Sequence, residues 1–352
     1  MTKPTILVSG ATGKTGLAVV RELKRLDYPV RALVRATSAR TASLAQLGVD
    51  VVTADPYDPQ QLLEAMRGVQ RAYYVPPFDP YMVHGALAFA IAANDAGLES
   101  VVGLTQWLSN PQHPAYSTRQ HWTVDRMFAM LPRVAHTTIN PGFFADNYLR
   151  LLPMAVHLRL FPDLYGDGQC APPSNDDIAR VVVACLADPS AHHGAVYHPT
   201  GPKLLSPADM HGIFEQLTGQ RILRLKLPQW LAIKAMMLDG ADPFQISDLF
   251  DFIEDNKRGA FALNGVTKDV EKLTGRPAEA FEETARHYLA LPQNQPSFSN
   301  KLKTLIRFAL TPMSRGMAIS HYRASMQIPM HSAPVLSIDS GAWRRAHAAP
   351  IA

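Results

Sequence analysis

Three glycines spaced three apart, Gly10, Gly13 and Gly16, follow the apolar run Ile6-Leu7-Val8-Ser9. They lead into a segment in which Leu17, Val20, Leu23 and Leu26 recur at helical spacing. A strand that turns this tightly into a helix presents unpaired backbone N–H groups and the positive end of a helix dipole, which suits a phosphate. Glycine permits the turn and lets backbone approach a ligand where a Cβ would clash. Two phosphate motifs compete for these residues. The mononucleotide loop needs a glycine separated by four residues from Gly13-Lys14-Thr15, and Val8 stands at that place. What remains is the dinucleotide turn, here one residue longer than G-x-G-x-x-G. Gly10, Thr12, Gly13, Lys14 and Thr15 are therefore the expected pyrophosphate contacts.

Further chemistry-bearing residues stand just after later apolar runs. Arg35 follows the second run. An acid there would bond the adenosine ribose hydroxyls, whereas arginine favours a 2′-phosphate, with Arg40 or Lys14 assisting. The cofactor expected on this ground is NADP, with NAD the alternative. Asp55, after the third run, is placed to accept from the adenine amino group. Val75, Pro76 and Pro77 make a stiff turn expected beneath the adenosine-side ribose and pyrophosphate. Thr105-Gln106-Trp107 and Asn140-Pro141-Gly142-Phe143-Phe144 follow the fifth and sixth runs, on the nicotinamide side. Phe143, Phe144 and Trp107 suit either an apolar wall there or packing between lobes, and packing is the stronger expectation.

These positions can meet only if the runs lie side by side and point the same way. The pattern predicts this. Strands over 5–9, 30–34, 50–53, 72–75, 100–104 and 135–139 alternate with helices over 13–26, 39–47, 60–66, 83–96 and 118–131. Such alternation implies an α/β fold, a doubly wound parallel sheet that binds its ligand at the carboxyl ends of the strands. The expected organisation is a dinucleotide-binding domain over 1–150, joined by parts of 176–200. A smaller, mainly helical substrate lobe would follow over 151–291, then a C-terminal extension over 292–352.

Composition narrows the function classes. The chain has 352 residues, 47% hydrophobic and 18% charged, an ordinary globular balance. Two cysteines, Cys170 and Cys185, make no disulfide framework, and the 13 histidines show no metal-ligand spacing, so no metal site is expected. Met1-Thr2-Lys3-Pro4 runs straight into the first strand without a signal peptide, and no apolar run reaches membrane-spanning length. A cytoplasmic protein is expected. The net charge of +4 is uneven. Residues 293–352 carry seven Lys/Arg against Asp339 alone, a local +6 that leaves −2 for the rest. No nucleic-acid-binding signature accompanies this basic tail, and nucleic acid is not an expected partner.

Taken in order, GATGKTG at 10–16, ALVR at 32–35, the run from Gly48 to Val75, NPGFFADNY at 140–148, DDIA at 176–179, PTGP at 199–202 and LTGRP at 273–277 resemble the NmrA-like branch of the atypical short-chain dehydrogenases/reductases. The resemblance covers about 4–290. It implies a Rossmann-type NAD(P) domain and either NAD(P)H-dependent reduction of quinones, dyes, imines or phenylpropanoid ethers, or cofactor sensing without catalysis. The Tyr-x-x-x-Lys pair of ordinary short-chain dehydrogenases is absent, since Tyr116 is followed four residues on by Gln120. Where catalytically active relatives place a lysine, near the start of the helix after the fifth strand, this chain has His121. The resemblance thus makes His121 the candidate catalytic residue and a nicotinamide-ribose contact. Asn140 stands where many relatives carry arginine. The leading expectation is an NADPH-dependent reductase, monomeric or homodimeric, acting on an apolar small molecule with a polarised double bond. The alternative is a redox sensor that binds a protein partner.

Beyond the resemblance, Pro292-Gln293-Asn294-Gln295-Pro296-Ser297 reads as a linker. Residues 301–310 then form a short basic helix with Leu302, Leu305, Ile306 and Ala309 on one face. Packing of that face on the chain itself or on a second subunit is expected ahead of peripheral membrane contact.

Overall fold

The computed structural model describes residues 3–348. Strands β1 (Ile6–Ser9), β2 (Val30–Val34), β3 (Asp50–Thr53), β4 (Arg71–Tyr74), β5 (Ser100–Leu104) and β6 (Ala135–Ile139) follow one another through helices α1 (Lys14–Arg25), α2 (Ala39–Gln46), α3 (Pro59–Ala65), α4 (Met82–Asp95) and α5 (Tyr116–Ala129). The chain then leaves through α6 (Ala145–Leu149), α7 (Leu152–Leu158) and β7 (Leu160–Asp163). It returns to the sheet with α8 (Asn175–Ala187), α9 (Pro189–His192) and β8 (Val196–Tyr197). The result is a seven-stranded parallel sheet in the order β3-β2-β1-β4-β5-β6-β8. Strands β1–β6 and helices α1–α5 are those predicted from the pattern, displaced by a residue or two at some ends; the seventh strand, β8, and helices α6–α9 were not predicted as elements.

Burial on both faces explains why the central strand β1 reads as a near-unbroken apolar run. One face is covered by α1 and α8, where Val19, Leu23, Ile178 and Val182 meet Ile6 and Val8 of β1. The other is covered by α3, α4 and α5, where Leu62, Phe89 and Phe128 meet Leu7 and Val101. Register aligns the strand ends. Ile6 lies opposite both Val30 and Arg71, Arg71 opposite Ser100, and Ser100 opposite Ala135. The residues after β1, β4, β5 and β6 therefore emerge along one edge, and the strand order reverses direction between β1 and β4, where such sheets bind ligands.

The rest of the chain forms a second, mainly helical core. It comprises α10 (Pro207–Thr218), β9 (Leu223–Lys226), which pairs with β7, α11 (Gln229–Leu238), α12 (Pro243–Lys257), α13 (Asp269–Thr274) and α14 (Phe281–Leu289). Phe161, Phe214, Phe261 and Phe281 fill it together with Trp107 and Tyr148. Helices α15 (Phe298–Leu310), α16 (Ile319–Ser325) and α17 (Gly341–Ala348) complete the described residues. No helix among them is long and apolar enough to cross a membrane.

Of the two packings expected for the helix at 301–310, on the chain itself or on a second subunit, the first is overturned here. The helix foreseen over 301–310 exists as α15, but its apolar face does not pack on the chain. No residue of α15 is buried, and Leu302, Leu305 and Ile306 are open to solvent. The polar side faces inward instead. Asn300 Nδ2 donates to the carbonyls of Pro292 (2.8 Å) and Gln295 (3.0 Å), and Arg307 pairs with Asp239.

Candidate functional site

The glycine turn is built from backbone packed on backbone. Gly10 adopts φ +61°, and the Gly13 N–H donates to its carbonyl at 2.9 Å. A Cβ on Gly16 would lie 2.2 Å from the Gly10 oxygen, closer than any side chain could be accommodated. A Cβ on Gly10 would press on Val75 at 3.2 Å, so the turn sits directly against the chain leaving β4. Ser9 Oγ accepts from the Val75 N–H at 2.7 Å and latches the two strand ends together. Helix α1 starts with no side chain capping its first turn. This cradle has the shape and polarity to take a pyrophosphate.

Lys14 and Thr15 are already engaged. Lys14 pairs with Asp146 beyond β6, which also accepts from Tyr288 Oη of α14 at 2.6 Å, and Thr15 Oγ1 donates to Asn175 Oδ1 of α8 at 2.8 Å. These bonds tie the turn to the lobe. Thr12 is half-buried beside them. Arg35, exposed after β2, forms no ion pair or hydrogen bond among the described residues and lies close enough to Tyr57 to act on its phenol electrostatically. A free guanidinium at this strand end fits a 2′-phosphate. Asp55 is exposed nearby, its Oδ1 accepting from the Tyr57 N–H at 2.9 Å. Val75 and the buried Pro76 line the start of the next turn.

On the other side of the switch point, Thr105 is buried. Its N–H donates to the Ile139 carbonyl at 2.8 Å, and its Oγ1 lies 3.0 Å from Asp125 Oδ2 of α5. Desolvation pushes the Asp125 carboxyl up to about 7, against the opposing pull of the Thr105 hydrogen bond and Arg126. One turn earlier on α5, His121 is buried, with Nδ1 unpartnered, against Phe78 at 6.3 Å between ring centroids. Burial pushes its imidazole down to about 4, so it is neutral at pH 7. A neutral imidazole holds or orients a hydrogen bond; it carries no spare proton.

The start of α5 is fixed from outside the sheet. Asp248 of α12, fully buried, accepts from the Ser117 N–H (2.8 Å) and the Tyr116 N–H (3.3 Å), satisfying donors that the helix leaves open. Arg323 of α16 holds that carboxylate at 3.4 Å and the neighbouring Asp251 at 2.6 Å. The extension continues in the same role. Asp255 accepts from the N–H groups of Ser337 and Ile338, and Trp343 Nε1 donates to the Trp107 carbonyl at 2.9 Å.

The aromatics divide between two places. Phe143 and Trp107 are core residues. Phe143 meets Tyr148, Tyr165 and Phe261, and Trp107 Nε1 donates to the Ala260 carbonyl at 2.8 Å. Phe144 packs against the sheet core, and Pro141 is buried. The rings near His121 are instead Phe78, which meets Phe244 at 5.7 Å, and Tyr116, which meets Phe244 at 6.4 Å. Sequence reasoning singled out neither Phe78 nor Phe244, nor did it single out Asp125. Only the i, i+4 spacing from His121 marked Asp125.

Comparison with known proteins identifies what the chain is similar to. The model of the NmrA-like family matches residues 2–276. The chain is 32% identical over 293 residues to an NAD(P)H azoreductase of Xenophilus azovorans, spanning 81% of this chain and 98% of that one. It is 24% identical over 290 residues to quinone oxidoreductase 2 of Escherichia coli, spanning 80% and 98%. The crystal structure of the E. coli NADPH-dependent quinone oxidoreductase complexed with NADPH superposes with a TM-score of 0.68 at 23% identity, covering 80% of this chain and 99% of that one.

Proposed function

The chain belongs to the NmrA-like family, and we propose that it is an NADPH-dependent reductase of apolar small molecules with a polarised double bond: a quinone, enone, imine or ketone. It is an NAD(P)H-dependent oxidoreductase, with NADP(H) its cofactor. The observation that supports NADPH as the reductant is the pairing of a glycine cradle closed to any Cβ at Gly16 with the unpaired Arg35 after the neighbouring strand, and the apolar rings of Phe78, Phe244 and Tyr116 support the substrate class. When bound, the cofactor supplies the hydride.

The protein's own residues bind, orient and hold a proton. In this reading the backbone of Gly10, Thr12 and Gly13, with Lys14 and Thr15, holds the pyrophosphate, and Arg35 the 2′-phosphate. Asp55 holds the adenine, Val75, Pro76 and Pro141 line the cofactor, and Phe143, whose ring lies in the core of the lobe, does so through its backbone. His121, neutral, orients the nicotinamide ribose or the acceptor oxygen. Asp125 and Thr105 supply the proton. With Asp125 protonated, its carboxyl donates to Thr105 Oγ1, freeing the hydroxyl hydrogen to reach an acceptor. With Asp125 ionised, that hydrogen is held on the carboxylate. Phe78, Phe244 and Tyr116 give the substrate side its apolar character.

The test is stopped-flow mixing of the protein and NADPH with a panel of quinones, enones, imines and ketones. NADPH oxidation is expected with at least one class. Tight NADPH binding with no oxidation across the panel would overturn the reductase reading and favour the sensor. His121→Ala is expected to lower turnover far more than NADPH affinity; equal losses would leave His121 a cofactor contact alone.

A further inference from the structure

Helix α15 is an amphipathic helix mounted the wrong way round for a folded protein. An amphipathic helix on a globular core turns its apolar stripe inward. Here Asn300 and Arg307 on the polar side bond the protein, the half-buried Thr304 lies on that same side, and the apolar arc looks out. Phe298 is 83% exposed and Leu305 and Ile306 48% each, with Leu302 and Leu310 alongside. Met313, 75% exposed in the turn that follows, extends the strip. The mounting is firm. Ser297 Oγ caps the helix by accepting from Asn300 N–H at 3.1 Å, and Lys234 of α11 donates to the Pro312 carbonyl at 2.5 Å.

Charge identifies what covers this face. At about 100° per residue, Lys301 and Lys303 fall on the two borders of the apolar arc. Their side chains, with that of Arg315 just beyond, form no ion pair or hydrogen bond among the described residues. From 293 to 338 the sequence holds five Lys/Arg and no Asp or Glu. A second copy laid on this face by a two-fold axis would set these cations against their own mates with no acid in the segment to answer them. A surface of fixed negative charge over hydrocarbon answers both features at once. Apolar side chains enter the acyl boundary while lysines at the border reach the headgroups.

We infer that α15 docks the protein onto the surface of an anionic phospholipid bilayer, with Phe298, Leu302, Leu305, Ile306 and Met313 inserted and Lys301, Lys303 and Arg315 on the headgroups. This rests on the helix alone and holds or fails independently of the reductase reading.

Flotation of the full chain tests it, with vesicles of pure phosphatidylcholine and with vesicles containing about one-third phosphatidylglycerol. Binding is expected to the anionic vesicles only and should be largely released at about 1 M salt, where screening is short-ranged. Lys301→Gln with Lys303→Gln should weaken it roughly 25-fold, about 5-fold for each lysine. Leu305→Gln with Ile306→Gln should weaken it at least about tenfold. All four positions are exposed, so melting and NADPH affinity serve as unchanged controls. Failure to bind anionic vesicles at low salt would overturn the inference. So would unaltered binding of both double variants. A concentration-dependent dimer in sedimentation velocity, broken by the Leu305/Ile306 pair in the absence of vesicle binding, would overturn it in favour of a second copy.

Discussion

Replacing Asp125 with asparagine changes how stability depends on pH, and the structure sets the sign and size. Folding moves this carboxyl from an ordinary 3.8 to about 7, chiefly because partial burial beside Thr105 desolvates it. The folded state therefore holds the proton more tightly than the unfolded chain does. Its contribution is fully present below pH 3.8 and is lost as pH rises toward and through 7. At about 1.4 kcal/mol per pH unit, that interval is worth about 4 kcal/mol, reached a little above pH 7. An asparagine side chain at this position keeps the shape and an oxygen to accept from Thr105 Oγ1 but never ionises. Urea unfolding of both proteins from about pH 4.5 to 8 should give a stability advantage for Asp125→Asn that grows with pH, toward about 4 kcal/mol, with similar m-values. Parallel pH profiles for the two proteins would refute the reasoning, because they would mean that Asp125 ionises in the folded state as it does in water.

Three further outcomes follow from the geometry. Gly16→Ala forces a methyl to 2.2 Å from the Gly10 oxygen, so the turn must open; fluorescence titration should show NADPH binding weakened by more than about tenfold, with about 1–3 kcal/mol of stability lost. Arg35→Ala removes one charge-assisted contact. NADPH affinity should fall roughly 10–100-fold while NADH affinity holds, and equal effects on both would place Arg35 outside the 2′-phosphate site. Asp248→Ala strips the start of α5 of its acceptor and leaves Arg323 with Asp251 alone. Denaturant unfolding should register a loss of about 3–5 kcal/mol, and a change below about 1 kcal/mol would show that α5 needs no outside anchor.

The sheet was legible because its signals are local. Most strands carry a short apolar or β-branched stretch, and several punctuating glycines, such as Gly97 at φ +68° after α4, sit where helices end. The positions proposed for the cofactor were legible for the same reason, since topology puts the residues just past each strand along one edge. The substrate side was not. Asp125 reads in sequence as one more helical acid, and only its half-buried place beside Thr105 distinguishes it. Asp248 lies 131 residues from the N–H of Ser117 that it satisfies, a distance no periodicity spans. The bridge from Lys14 through Asp146 to Tyr288 joins three segments that share no pattern. For α15 the apolar stripe was plain, but periodicity gives a stripe without saying which way it faces.

The anchoring of α5 has a consequence for how this chain is put together. The family model ends at residue 276, and the azoreductase is almost fully matched within 81% of the chain, so the final helices are an addition to an otherwise complete body plan. Yet Arg323 braces the carboxylate that seats α5, and Trp343 is plugged in behind Trp107. An appendage has become a keystone. The stretch after α15 thus reaches back, through Arg323 and Asp248, to the start of the helix that carries His121 and Asp125.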